Sequence, residues 1–360
     1  MKLIKILTAG AVSAAALFAL TGCFGASKTA TIKIDSQNVV ISDEKKADNG
    51  NVFVDIVLEV TNNTKSTFKD FTSYNLSLYD SKNNVISSTN LFSSHGSALN
   101  SFSKTSDLQA GKTIKGDIVF QVSKGQKYTL HYTPVDSNFK KLKDVEIEVD
   151  TSKVTDNSSN LKTMVGDYIN AVFFGKTNVK SNLKNDLNSE AAKFKTDFAK
   201  GVASHFKDIN ITASASDAQS FVESYMKTNA SKSKSTLTIK EMVSDYAIVT
   251  IKPQTIDLAD LDLSTEKSAE INNWEKANAG KYDDSDKMMA ALSKYILSIM
   301  PTEIAKLSAK DPTIYMPTDG YQMVFKKGTD GEWTFDSQVR IGNDDFSSLQ
   351  QVYSSYIVGQ

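Results

Sequence analysis

Two hydrophobic periods divide this chain, and they constrain its fold more than any single residue does. As far as about Asp150 the apolar residues alternate. In "NVFVDIVLEV", Val52, Val54, Ile56, Leu58 and Val60 share one face, the period-2 pattern of a strand with one buried side. The "TNNTKS" after it is a turn cluster. "YNLSLYD" alternates in the same way before the turn "SKNN", and "GKTIKGDIVFQV", "QKYTLHY" and "DVEIEV" follow with polar breaks between them. Short strands without a helical run predict an antiparallel β-sandwich over residues 31–150.

The stretch "DTSKVTDNSSN" has no aliphatic periodicity and reads as a linker, 151–160. Beyond it Leu161, Val165, Tyr168, Ile169, Val172 and Phe173 draw one apolar stripe at helical spacing, with Gly175 as a C-terminal stop. A second helix is expected over Glu190 to Phe206. A third follows Ser216, whose Gln219 three residues on makes a capping-box pattern. "STLTIKEMV" and "YAIVTIKPQTIDL" then read as strands, with Pro253 marking an edge or a bulge. Two helical stretches come next, Ser264 to Ala279 and Ser285 to Ser308, the second kinked or ended near Pro301. "GYQMVFKK", "GTDG" and "EWTFDS" form a hairpin, and an amphipathic helix after Asn343 closes the chain. Helices first, then a mixture ending in a hairpin, make residues 161–360 an α+β domain rather than a βαβ nucleotide fold.

The first 22 residues have a different character. Lys2 and Lys5 lead into an apolar run from Ile6 to Leu20, a positive n-region before an apolar h-region. That run is shorter than the roughly 20 apolar residues of a comfortable bilayer crossing, so a removable signal peptide, 1–22, is expected. Leu20, Thr21, Gly22 and Cys23 stand where it would be cut, and Cys23 is the chain's only cysteine. These four residues resemble the lipobox of bacterial lipoproteins. The resemblance implies that the Cys23 thiol receives a diacylglyceryl group and becomes the first residue of the mature chain. Two acyl chains anchor durably where one binds only marginally. Residues 23–30 would then be a short lipidated tether, at most about 25 Å long if extended. With no second cysteine there is no intramolecular disulfide, so each domain relies on its core.

Two further resemblances follow. "NVFVDIVLEVTNNTKS", "YNLSLYDSKNN" and "LQAGKTIKGDIVFQVSKGQKYTLHY" resemble the immunoglobulin-like extracellular domain of unknown function that often follows a lipobox in Gram-positive lipoproteins, over about residues 31–135. That family implies a sandwich and brings no catalytic residues. The second half, by its element order and its "Gly-x-Trp" hairpin, is similar to the uncharacterised C-terminal domain that accompanies the same module. By analogy it is expected to form a cone-shaped fold like that of nuclear transport factor 2, with helices closing a curved sheet over a pocket.

Composition narrows the partners. The formal charge is −1 and Arg340 is the only arginine, which disfavours nucleic acid and bidentate phosphate recognition. His95, His131 and His205 lack partners at metal-ligand spacing, so no metal and no cofactor is expected. The acids of "DLADLD" (Asp257, Asp260, Asp262) and "DDSD" (Asp283 to Asp286) lack the glycine and glutamate of a calcium loop and read as solvated loops and helix-start acids. Ser101 to Lys104 and Ser181 to Lys184 match S-x-x-K, but no K-T-G or S-D-N element follows and no G-x-S-x-G occurs; no catalytic residue is assigned. What remains is aromatic: Tyr168, Phe173, Phe174, Tyr225, Tyr321 and Trp333 either line a pocket or form the ordinary core of the second domain, the periodicity favouring the core.

The expectation is therefore a lipid-anchored protein outside the cell membrane. Its sandwich would act as a spacer or interaction module, and its α+β domain would bind an unknown protein or small molecule. The alternative is an enzyme with its pocket in residues 161–360, which a perturbed carboxylate inside that pocket would reveal. A transporter-type binding protein with two α/β lobes fits poorly with an all-β first half.

Overall fold

The computed structural model describes residues 24–92, 98–99, 102, 106–261, 269–313, 316–338 and 346–357. The chain divides into two compact units. The first takes residues up to Gln37, Asp55–Asn90 and Leu99–Val154, and the second takes Asn38–Val54, Leu91–Ala98 and Thr155–Gln360.

The strands of the β-rich part are β1 (Phe24–Ala26), β2 (Ala30–Val40), β3 (Val52–Asn62), β4 (Phe68–Phe71), β5 (Leu76–Tyr79), β6 (Val85–Ile86), β7 (Leu91–Phe92), β8 (Ala98–Leu99), β9 (Ser106–Leu108), β10 (Thr113–Val122), β11 (Lys127–Tyr132) and β12 (Val145–Asp150). They form two four-stranded sheets, ordered β1-β2-β3-β10 and β12-β11-β5-β6, with two-stranded ladders β4-β9 and β7-β8. Alternation decides the faces. In β12 Val145, Ile147 and Val149 are buried while Glu146 and Glu148 are exposed, and in β3 Val54, Ile56, Leu58 and Val60 point inward. Phe53 and Asp55 of β3 are buried as well, so this strand is covered on both sides along part of its length. Phe71 lies edge-on between Phe102 and Tyr132, at centroid distances of 5.0 and 5.3 Å.

Polar side chains order the breaks between strands. The Asn62 amide, fully buried, donates to the carbonyls of Ser66 and Leu108 at 2.8 and 2.9 Å and accepts from the Thr64 N–H at 2.9 Å. Asp80 accepts from the Lys82 and Asn84 N–H groups at 2.8 Å each, closing the turn after β5. The polar stretch after β12 is ordered in the same way. Asp150 caps a 3₁₀ turn, Thr151–Lys153, and the buried Thr151 hydroxyl donates to the carbonyls of Ser123 and Gln126. Such order leaves no hydrophobic period to read, because hydrogen bonds to the backbone supply it.

The second unit holds α1 (Ser158–Tyr168), α2 (Leu187–Asp208), α3 (Ala215–Lys232), β13 (Lys234–Met242), β14 (Tyr246–Ile256), α4 (Ala269–Asn278), α5 (Ser285–Lys306), β15 (Ala309–Lys310), β16 (Tyr321–Lys327), β17 (Trp333–Phe335) and α6 (Phe346–Tyr353). Its antiparallel sheet runs β13-β14-β16-β17, with β15 added to β14. α2 packs on α3, α3 on α5, and both α3 and α6 pack on β14.

Two local expectations change here, and a third resolves between its alternatives. The capping box of α3 uses Ser214 and Asp217, not Ser216 and Gln219: the Ser214 hydroxyl accepts from the Asp217 N–H at 3.2 Å and the Asp217 carboxylate accepts from the Ser214 N–H at 2.8 Å. A carboxylate there also meets the positive end of the helix dipole. Pro253 lies in β14, the central strand, and the bulge is in β13 between Ile239 and Glu241. The proline is tolerated because β16 pairs β14 only as far as Ile251 and β15 resumes at Thr255, leaving a gap in the ladder beside it. α5 continues through Pro301 to Lys306. Just before β16, Gly320 has φ +93° and a Cβ on it would lie 2.6 Å from the Ile251 carbonyl oxygen, so only glycine fits that approach.

Candidate functional site

Leu20, Thr21, Gly22 and Cys23 lie outside the described residues, as do His95, Asp262 and Arg340. The residues directly after Cys23 are structured: Phe24, Gly25 and Ala26 pair antiparallel with Lys33, Ile32 and Thr31 of β2. Residues 24–26 of the expected 23–30 tether thus form the edge strand β1 of the first sheet.

His131 in β11 lies against the Tyr79 ring at 4.4 Å, with its Nδ1 3.5 Å from Asp144 and 3.8 Å from Glu146. His205 is exposed in the last turn of α2. Among the described residues no three His, Cys, Asp or Glu side chains are grouped to hold a metal ion. Of the "DDSD" acids, Asp284 caps α5 and Asp286 sits in its first turn. Of the "DLADLD" acids Asp260 is exposed, as expected, and Asp257 is not. Asp257 is only 7% exposed and accepts from the Ala259 N–H, the Thr313 hydroxyl and the Ser355 hydroxyl at 2.9, 2.9 and 3.2 Å. The Lys310 ammonium lies 3.3 Å from Asp257 and 2.7 Å from Asp260. Burial acts to raise the Asp257 carboxyl, but the hydrogen bonds and Lys310 outweigh it and hold the group below the usual aspartate range.

The aromatic residues divide by position. Tyr168, Phe173, Tyr225, Tyr321 and Trp333 are all buried. The structure brings Tyr168 and Phe173 together edge to face at 5.8 Å. Phe173 also stacks on Tyr353 at 4.4 Å. Rings reach Tyr225 through Phe194 and Phe198, at 5.1, 6.0 and 5.3 Å in turn. The hydroxyls have partners: Tyr168 donates to Glu190 at 2.5 Å and Tyr225 to the Ile256 carbonyl at 2.8 Å. Burial pushes both phenols well above their ordinary value, with Glu190 adding to the effect at Tyr168 and Asp257 at Tyr225. Tyr321 and Trp333 are buried within β16 and β17. These five side chains are core.

Phe174 is the exception, and its position follows from a change in helix geometry. α1 runs into a π-helical turn, Ile169–Phe173, and such turns recur at functional sites because they displace the residues that follow. Here Phe173 enters the core while Phe174 is half-buried, its ring edge-on to Tyr353 at 5.6 Å. Gly175 then turns the chain with φ +62°, and a Cβ on it would sit 3.1 Å from Met226 Cε.

Those residues form one wall of an open cleft of about 700 Å³ lined by Phe174, Gly175, Lys176, Thr177, Lys195, Glu223, Met226, Lys227 and Ala230. The opposite wall is a helical face: Glu223, Met226, Lys227 and Ala230 follow i, i+3, i+4, i+7 along α3. Met226 is buried and forms part of the floor. Lys195 of α2 forms an ion pair with Glu223. The Lys176 ammonium donates to Asn170 Oδ1 at 2.8 Å and lies 5.9 Å from the Phe174 ring centroid. Sequence reading singled out Phe174 and missed the rest, since a cleft wall shared by three elements has no linear signal. A lysine next to the apolar stripe edge at Met226 was the one visible trace.

Two smaller recesses lie elsewhere. One of about 400 Å³ on the first unit, at Tyr79, Lys127, Glu146 and Glu148, carries both signs of charge, with Lys127 3.0 Å from Glu148. The other, about 340 Å³, lies at Val39–Phe53 with Asp156 and Ser158.

The chain is similar to known proteins in two ways. The sequence profile of the Domain of unknown function (DUF4352) matches residues 24–143, which is most of the β-rich part. Over more of its length the chain is similar to the uncharacterized lipoprotein YcdA of Bacillus subtilis, 27% identical over 254 residues, 64% of this chain and 64% of that protein. The match thus spans less than two thirds of the relative. The crystal structure of YcdA superposes with a TM-score of 0.62 at 20% identity, covering 88% of this chain and 95% of that one, a likeness of fold. No helix among the described residues is long and apolar enough to cross a membrane.

Proposed function

We propose that this chain is a lipoprotein anchored at the outer face of the cell membrane through Cys23, and that its second unit is a binding module rather than an enzyme. In this reading the first unit is an immunoglobulin-like sandwich made from its two four-stranded sheets, and it serves as the membrane-proximal spacer. The second unit is a cone-like α+β domain in which α3 and α6 cover β14. The anchor reading is supported by the lipobox-like "LTGC" at residues 20–23 and by the similarity to a protein described as a lipoprotein.

The observation that carries the binding role is the cleft at Phe174 and α3. Its volume lies in the range of small-molecule sites, and such sites are mostly apolar with a few placed polar groups. Among the described residues burial raises the carboxyl of Asp167, which does not line this cleft. The partner is a small molecule or a protein segment small enough for that volume, with no cofactor.

The anchor is tested by fractionation. Cys23→Ala is expected to release the chain from membranes and to abolish metabolic labelling by a palmitate analogue; an equally membrane-bound, equally labelled variant would refute the anchor.

A further inference from the structure

We infer that the α3 cleft binds a small anion with an apolar body, of the kind represented by an aryl- or alkyl-carboxylate. The inference rests on reading the second unit as a binding module and specifies what it binds.

Charge is the first argument. The whole chain is nearly neutral at −1, yet the cleft is lined by three ammonium groups, Lys176, Lys195 and Lys227, against one carboxylate, Glu223. Glu223 stands four residues before Lys227, a spacing at which the two side chains are helix neighbours. It bonds Lys195 of α2 instead. Its charge is thereby neutralised, and Lys227 has no hydrogen-bond or ion-pair partner among the described residues. Lys176 is held in place by Asn170 and keeps further donors, since an ammonium carries three. Two cations therefore remain to meet an incoming anion.

Apolar surface is the second argument. Between the lysines lie the Phe174 ring, buried Met226 and Ala230. Methionine is flexible and polarizable and makes favourable contacts with aromatic rings, so the floor adapts to a chain or a ring. A hydrated inorganic anion would leave this surface unused. An uncharged hydrocarbon would leave Lys176 and Lys227 unused. A cation would meet like charge at both, and the Phe174 ring already faces an ammonium of its own.

The test is calorimetric titration of the full chain in lipid nanodiscs, with empty nanodiscs as the blank. The probes are three water-soluble compounds of one shape: 4-phenylbutyrate, 4-phenylbutanol and 4-phenylbutylamine. The acid is expected to bind on the order of tenfold more tightly than the alcohol, the worth of one charge-assisted hydrogen bond, and the amine most weakly. Lys227→Glu, at an exposed position, is expected to reduce acid binding by about tenfold and to leave alcohol binding unchanged. Ala230→Phe, which fills the cleft, removes binding of all three. Lys200→Glu, exposed on α2 but off the cleft, changes none. Thermal denaturation of each variant confirms that it is folded.

The inference is overturned if acid and alcohol bind equally, if the amine binds best, if none of the three binds, or if Lys227→Glu and Lys200→Glu behave alike. Failure of the anchor is separate. A chain that binds the acid but fractionates with the soluble proteins keeps this inference and refutes the lipid attachment.

Discussion

The two units order their backbones in different ways. In the first, strand ladders carry the fold and the loops are held by short polar side chains turned back on the chain: Asn62, Asp80, Asp136 and Thr151 each bond backbone groups within or between loops. In the second, helices satisfy their own backbone, with Asp186, Ser214 and Asp284 as N-terminal caps. The core of that unit is a set of interlocked rings around Phe173. The difference bears on function. A sheet surface alternates its side chains every residue, so the first unit's recess is polar and self-neutralised. Helical faces diverge where α3 meets the turn after α1, and there an apolar floor stays open between charged walls.

Three experiments sharpen or break this contrast, each read by calorimetry as separate transitions of the two units. Phe173→Ala has the largest expected effect. It removes a fully buried ring that touches Tyr168, Phe194, Phe346 and Tyr353, and it should cost the second unit about 3–5 kcal/mol while the first unit's transition stays in place. A joint downward shift of both transitions would mean that the units do not unfold independently.

Asn62→Ala comes next and acts on the other unit. It leaves the Leu108 carbonyl and the Thr64 N–H without the Asn62 side chain, while the Ser66 carbonyl keeps the Thr64 hydroxyl, a loss of about 2 kcal/mol. A change under about 0.5 kcal/mol, the scale of an ordinary surface substitution, would show that the turn is set by its backbone alone.

The smallest effect is at Asp257. Its carboxyl is held below the ordinary value of 3.8 in the folded state, so it binds its proton less readily folded than unfolded. Its contribution to stability is complete above that ordinary value and declines as pH falls from there through the lower folded value. Asp257→Asn should therefore cost the second unit about 1 kcal/mol near neutrality and flatten its acid sensitivity. An unchanged acid limb in the variant would place the titrating group elsewhere.

Much of the architecture was legible because periodicity reports burial directly. Val54, Ile56, Leu58 and Val60 alternate in sequence and alternate in the sheet. Leu161, Val165 and Tyr168 repeat at helical spacing and all point into the core. Signals that depend on a neighbour were read less well. Ser216 and Gln219 have the right letters for a cap, yet Ser214 and Asp217 make it. Asp257 looked like a solvated loop acid until Lys310 and Thr313, more than fifty positions away, were seen to meet it. The aromatic residues were visible as a set, but which of them lines a cleft depends on where the turn after Phe173 meets α3.

The sequence alone determined much of the succession of elements, the absence of any disulfide within the chain, and the apolar run that precedes its one cysteine. Each of these is a property of neighbouring residues or of composition, and needs no knowledge of what lies across the fold. Only the tertiary structure decided that Glu223 is neutralised by Lys195 and not by Lys227, and that Met226, packed under the turn at Gly175, lines the cleft. Those outcomes depend on distances between segments far apart in the chain, where charge and packing act through space.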